Sequence, residues 1–309
     1  MSEIATRFAP SPTGRLHLGH VWSALQAHDL AGANGGHFLL RIEDIDAGRA
    51  RGEYVSAIIE DLLWLGLSWE GEIVFQSERI ALYGLALEDL KRQGLAYPCF
   101  CTRRDIAISA SAPHGPDGPL YPGTCRHMAP EERDRRMAQE PHCWRLDMAA
   151  AAERAGPLAW RTDAGITIPA DPAIQGDVVL ARKDSPVSYH LAVVVDDAAQ
   201  GISHVVRGMD LFAATHVHRL LQHLLGLPSP IYRHHSLLAD ATGQRLAKRT
   251  GAPSLEALRE GGMDPGALVA GMREGRFPEE YRLVDASSGS ARTEHARHAP
   301  SPITEISRP

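Results

Sequence analysis

The chain has 309 residues, 44% hydrophobic and 23% charged, with a formal net charge of −6 at pH 7. That length and apolar content provide for one large or two moderate cores. No apolar run reaches the roughly twenty residues of a membrane helix, and the N-terminus lacks a leader pattern, so a cytoplasmic location with no membrane partner is expected. The acidic balance excludes coating nucleic acid by bulk charge, and any RNA contact requires a local basic face.

The first informative stretch is Pro10-Ser11-Pro12-Thr13-Gly14-Arg15-Leu16-His17-Leu18-Gly19-His20. With 16 histidines and 28 glycines in the chain, His-x-Gly-His alone would arise easily by chance, and the proline context is what gives it weight. Pro10 and Pro12 forbid helix until about Leu16. Leu18, Val21, Trp22 and Leu25 then recur at helical spacing, which puts His20 in the first turn of a helix. Free amides and the positive dipole end suit phosphate there. Gly19 leaves the backbone open to a flat base, and His17 and His20 can donate to oxygens that gain charge as phosphorus is attacked.

His37–Ile42 reads as a buried strand ending in Glu43, Asp44 and Asp46. Residues 52–65 and 78–93 carry helical spacing and are closed by Gly66 and Gly94. This alternation predicts a parallel α/β sheet, whose ligands sit beyond the carboxyl ends of the strands, where Glu43 and Asp44 fall.

From Pro98 to about Pro186 the text becomes rich in proline, glycine and alanine, which predicts an inserted domain. It holds Cys99, Cys101, Cys125 and Cys143. A cytosolic setting argues against disulfides. Zinc held by paired thiolates would pin residues 109–124, which have little core of their own. Spacing leaves the remaining ligand open among His114, Tyr121, His127 and Cys143. Arg126, Arg133, Arg135 and Arg136 are interleaved with Glu131, Glu132 and Asp134 and read as a solvated helix face.

The sheet is expected to resume with Leu191–Asp197 as a buried strand and with His204–Gly208, leading into a helix over 213–225. Arg207 would then stand at a strand's carboxyl end, on the rim shared with Glu43. Gly243–Gly251 is a glycine-flanked loop carrying Arg245, Lys248 and Arg249, able to close over phosphates. Ser254 caps a helix through about Arg259, and Asp264-Pro265 opens another that stops near Gly275. From about Asp285 a disordered tail is expected.

Arg7-Phe8-Ala9-Pro10-Ser11-Pro12-Thr13-Gly14 with His17-Leu18-Gly19-His20 resembles the first signature of class I aminoacyl-tRNA synthetases, in its glutamate and glutamine form. The likeness extends over about residues 6–282. Arg245-Leu246-Ala247-Lys248-Arg249 stands at the second signature, KMSKS, of which only Lys248 is kept. The resemblance implies an α/β fold with a Rossmann-like catalytic domain in two halves, 1–97 and 187–240. Between them falls an inserted zinc-containing α+β domain, 98–186. A KMSKS-like loop with a short helical C-terminal appendix, 241–284, and the tail, 285–309, complete the chain.

Cys99, Cys101, Tyr121 and Cys125 match the order and spacing of the zinc site in one short branch, the glutamyl-Q tRNA(Asp) synthetases, which implies one structural Zn2+ on these four. By the same resemblance L-glutamate meets Arg7, Phe8, Ala9, Pro10, Ser11, Glu43, Tyr189 and Arg207. ATP, with Mg2+ on its phosphates, meets His17, Gly19, His20 and Lys248, and His17, His20 and Lys248 carry the catalysis. The implied reaction forms glutamyl-adenylate and passes glutamate to queuosine in the anticodon of tRNA(Asp). The roughly sixty residues after Lys248 fall short of a usual domain of about 100–150. An anticodon-binding region like that of full-length glutamate-tRNA ligases is therefore not expected, which argues against a truncated ligase charging tRNA(Glu). The altered loop is the best support for a third reading, a catalytically silent RNA-binding or regulatory paralogue. A monomer is expected.

Overall fold

The computed structural model describes residues 3–108, 114–115, 118–244, 246, 253–278 and 281–284. Its first part runs β1 (Ala5–Phe8), α1 (Leu18–Ala33), β2 (His37–Ile42), α2 (Gly52–Trp64), β3 (Val74–Phe75), a 3-10 turn and α3 (Ile80–Arg92). β2 pairs parallel with β1 on one side and β3 on the other. Leu18, Val21, Ala24 and Leu25 of α1 share one core with Phe8, Leu40 and Ile42, so the apolar side of the helix covers the sheet. Gly36 allows β2 to start hard against the chain before β1, because a Cβ there would lie 2.1 Å from the Ile4 carbonyl oxygen. Gly66 and Gly94, at φ +72° and +71°, follow α2 and α3 as the sequence predicts.

The middle of the chain carries β4 (Ala96–Cys99), α4 (Arg103–Ile108), β5 (His114–Gly115), β6 (Gly118–Pro119), α5 (Pro130–Gln139), β7 (Cys143–Leu146), α6 (Met148–Ala155), β8 (Ala159–Thr162), β9 (Thr167–Pro169) and β10 (Val179–Ala181). β7 lies between β4 and β10, antiparallel to both. On α5, Arg135 pairs with Glu132 and Arg136 with Glu140, so this basic face is satisfied locally. Exposed pairs of this kind add little stability.

The last part runs α7 (Tyr189–Ala199), β11 (His204–Gly208), α8 (Phe212–Leu224), β12 (Ile231–His235), β13 (Leu237–Asp240), α9 (Leu255–Glu260), α10 (Pro265–Arg273) and β14 (Tyr281–Val284). Leu191–Asp197 is part of helix α7 and not the strand its composition suggests. All seven residues are buried, because α7 packs among α3, α8 and β10. A helix with no solvent face loses the periodicity that would separate it from a buried strand. The sheet of this part has the order β11-β12-β8-β9, so residues 159–169 reach from the middle of the chain to flank β12.

β11 lies beside β1, with the Ser203 N–H donating to the Ala5 carbonyl at 3.0 Å and Arg7 Nη1 donating to that of Val206 at 3.3 Å. The carboxyl ends of β1, β2 and β11 therefore meet on one rim, with the start of α1. α9 and α10 begin where expected, capped by Ser254 Oγ and Asp264 Oδ1. Leu255 N–H donates to the Leu16 carbonyl at 2.9 Å, which ties α9 to the residue before His17. Among the described residues no helix is long and apolar enough to cross a membrane. The expected basic loop lies outside the described residues except for Gly243, Gln244 and Leu246, as does the expected tail.

Candidate active site

The start of α1 is built by its two histidines. His17 occupies the N-cap in extended conformation, and its Nδ1 accepts from the Gly19 N–H at 3.1 Å. The His17 N–H donates to His20 Nδ1, also at 3.1 Å. A backbone amide can only donate, so both Nδ1 atoms accept and each neutral ring carries its proton on Nε2. The ring centroids are 3.8 Å apart, and two Nε2–H donors are held at one helix N-terminus. A Cβ at position 19 would approach His17 Cε1 to 3.0 Å, so the capping ring would have to give by a few tenths of an ångström to admit one.

These rings border a cavity of about 670 Å³ at the rim of β1, β2 and β11. Its wall includes Arg7, Phe8, Ala9, Pro10, Ser11, His17, Gly19, His20, Glu43, Tyr189 and Arg207, which brings together all the glutamate and ATP residues predicted from sequence except Lys248. Lys248 lies outside the described residues. Thr13, Trp22, Ser23, Asp210 and His235 also line the cavity and were not anticipated. Helical geometry could have found two of them: Trp22 and Ser23 follow Gly19 by three and four residues and share its face of α1. Both are anchored to the far wall, Trp22 Nε1 donating to the Ser236 carbonyl at 3.1 Å and Ser23 Oγ lying 2.8 Å from His235 Nε2.

A family model described as tRNA synthetases class I (E and Q), catalytic domain, matches residues 3–299. The chain belongs to this family. Among curated relatives, this class I synthetase domain is 50% identical over 274 residues to the glutamyl-Q tRNA(Asp) synthetase of Rhodobacter capsulatus, covering 85% of this chain and 97% of that one. It is 45% identical over 270 residues to the protein of the same name in Nocardia farcinica, covering 86% of this chain and 82% of that one. Among solved structures it is similar to a glutamate tRNA ligase of Elizabethkingia meningosepticum in complex with its amino acid, with a TM-score of 0.68 and 28% identity over 82% of this chain. The chain spans 54% of that ligase.

Buried charge organises the floor of the synthetase site. Asp197, near the end of α7, takes Arg7 Nε on Oδ1 at 2.9 Å and Arg41 Nη1 at 2.8 Å. Its neighbour Asp196 accepts from Arg79, Gln76 and Tyr83 at 2.7, 2.8 and 2.7 Å. Burial pushes the Asp197 carboxyl up, and the two guanidinium groups more than offset it and hold it below the usual range. Burial raises Glu43, with Arg41 and Arg7 opposing. Arg207, on the other wall, is 5% exposed.

The second cluster lies in the middle of the chain. The sulfurs of Cys99, Cys101 and Cys125 are all within 4.8 Å of one another. Tyr121 brings its hydroxyl to 3.7 Å from Cys101 Sγ, where it also accepts from the Cys125 N–H at 2.8 Å. Cys143 stands opposite Cys99 in the β4–β7 register but outside that trio, and His127 is exposed. The side chain of His114 lies outside the described residues. The hydrogen bond from Cys99, then burial, push the Cys125 thiol up to about 12. Crowded thiols that resist ionisation become thiolates when a divalent cation supplies the missing charge, and the three sulfurs are close enough together to hold one metal ion.

Proposed function

We propose that this synthetase domain activates L-glutamate with ATP, without tRNA, to glutamyl-adenylate, and transfers the glutamyl group to queuosine in the anticodon of tRNA(Asp). The observation that carries the reading is the convergence of Arg7, Glu43 and Arg207 with His17 and His20 on one cavity. The acceptor is taken from the names of relatives that match over most of their own length.

The substrate carboxylate is already ionised at neutral pH, so adenylate formation requires alignment and charge stabilisation rather than a side-chain nucleophile. Arg207 and Arg7 pair with glutamate's carboxylates, Glu43 accepts from its ammonium, and Tyr189 closes the site with ring and hydroxyl. The stretch from Phe8 to Ser11 lines the amino-acid end. As the carboxylate oxygen bonds to the α-phosphorus, the bond to pyrophosphate breaks. The Nε2–H groups of His17 and His20 and the start of α1 donate to the phosphate oxygens, Gly19 admits the base, and Lys248 neutralises the departing pyrophosphate. Mg2+ would ride on the phosphates and offset their charge.

Cys99, Cys101, Tyr121 and Cys125 would hold one zinc in a structural role, tying β4 to the segment before α5. In this reading the zinc-bearing insert spans 98–186 between catalytic halves at 1–97 and 187–240, followed by the loop and appendix at 241–284.

Glutamate-dependent ATP–pyrophosphate exchange without tRNA tests the first step. Labelled glutamate offered to tRNA(Asp) with and without queuosine, and to tRNA(Glu), tests the second. Exchange followed by labelling of queuosine-containing tRNA(Asp) alone is expected. Labelling of tRNA(Glu) alone would favour an ordinary ligase, and absence of exchange would sink the reading. Lys248→Ala is expected to abolish exchange.

A further inference from the structure

Arg207 and Arg7 are held in opposite ways. Among the described residues, every hydrogen bond of the Arg207 guanidinium goes to a neutral acceptor, whereas Arg7 is held by the carboxylate of Asp197. Nη2 of Arg207 donates to Thr215 Oγ1 at 2.7 Å, Nη1 to His218 Nδ1 at 3.0 Å and Nε to His234 Nε2 at 3.4 Å. The Tyr232 ring lies 5.4 Å from the guanidinium carbon.

The protons in this cluster are determined by its donors. A guanidinium cannot accept, so His218 accepts at Nδ1 and carries its proton on Nε2, which donates to His190 Nδ1 at 3.2 Å. Thr215 Oγ1 accepts from Arg207, and its own proton points toward His234 Nε2 at 3.0 Å, nearer than the Leu211 carbonyl at 3.5 Å, so the one lone pair on that nitrogen is shared between Thr215 and Arg207 Nε. Burial, and after it the Arg207 charge, keep both rings neutral: His218 is held well below the ordinary value and His234 is pushed down to about 2.

We propose that His218, Thr215 and His234 are positioning residues that set specificity, orienting the Arg207 fork through neutral acceptors so that the substrate's carboxylate, and no hydrogen-bonded protein carboxylate, neutralises it. This rests on Arg207 meeting glutamate as proposed above. A carboxylate in the cradle would orient the arginine equally well but would compensate its charge before substrate arrived. Neutral acceptors supply direction without competition. A buried cation lacking an ion-pair partner also favours glutamate over glutamine, because the neutral amide leaves it uncompensated.

The test uses the full chain, with glutamate and glutamine affinity measured by calorimetry and the KM for glutamate and for ATP measured in the exchange reaction. Arg207→Gln serves as reference. His218→Phe and Thr215→Asp are expected to weaken glutamate binding roughly tenfold or more, while the KM for ATP stays within about twofold. His218→Asn, whose amide oxygen can replace Nδ1 as acceptor, should recover most of the loss, and Thr215→Asp should also narrow the preference over glutamine. If His218→Phe does not fold, the nearly isosteric Thr215→Val carries the same expectation for glutamate. Unchanged glutamate affinity in these variants, with Arg207→Gln impaired, overturns the proposal alone, as does a parallel rise in the KM for ATP. Unchanged affinity in Arg207→Gln overturns it together with the reading of Arg207.

Discussion

Arg7 and Asp197 lie 190 residues apart in the chain and meet at 2.9 Å beneath the cavity, where the same carboxylate oxygen also takes Arg41 at 2.8 Å. Two guanidinium groups buried at 4% and 0% exposure thus share one acid, which fixes the end of α7 to β1 and β2, while Arg41 also pairs with Glu43 at 3.5 Å and Asp196 at 3.8 Å. Replacing Asp197 by Asn keeps the shape and removes the charge. The expected loss is about 3 kcal/mol in urea denaturation, the usual cost of orphaning a buried ion. A loss below about 1 kcal/mol would show that Glu43 and Asp196 already suffice to hold the two cations.

Stability should fall on acidification through the histidines. Burial lowers His234 to about 2, and it also lowers His204, His216, His218 and His235 below the ordinary 6.5. The unfolded chain therefore binds protons that the folded one refuses, so the contribution is fully present above about pH 6.5 and is lost as pH drops. Each unit below 6.5 costs about 1.4 kcal/mol for every ring still neutral in the fold. Urea midpoints between pH 7 and 5 should fall steeply, and less steeply in His234→Gln. A flat profile over that range would contradict the neutral cluster.

The double role of His17 can be separated by substitution. His17→Asn retains a good N-cap and should melt close to the parent, whereas His17→Ala should lose about 1 kcal/mol. Both should lose exchange activity by roughly 10²-fold or more, as expected for removing a preorganised donor to developing charge. Full activity in His17→Asn would reduce the residue to a cap.

Metal analysis of the purified chain should give one zinc per molecule. Chelation should lower the melting temperature, and Cys125→Ser should do the same and bind less metal. Tyr121→Phe removes the oxygen ligand and should weaken zinc retention without expelling it. Metal-free protein with freely titrating thiols and unchanged melting would retire the site.

What was legible in the sequence was local. The helix start with its two histidines is legible from His17 to His20, within four residues, and Glu43 follows directly from the strand His37–Ile42 that delivers it to the rim. The floor was not legible, because Asp197, His218 and His234 act on arginines 190, 11 and 27 residues away and no short pattern carries such pairings. One misreading concealed much of this. A buried strand over Leu191–Asp197 assigns no partner to Asp196 and Asp197, whereas the buried helix α7 makes them the counter-charges of Arg79, Arg7 and Arg41.

The first turn of α1 contains no acidic residue, and its caps are imidazoles where serine, aspartate or asparagine would be ordinary. Imidazole accepts from its own helix at one edge and carries its N–H at the other. Aspartate there would cap well and repel phosphate, serine would place both functions on one atom, and asparagine would hold them on a fork closer to the backbone. Mutational tolerance at positions 17 and 20 should therefore be narrow for two unrelated reasons, and changes that improve folding at this turn will tend to work against the chemistry beside it.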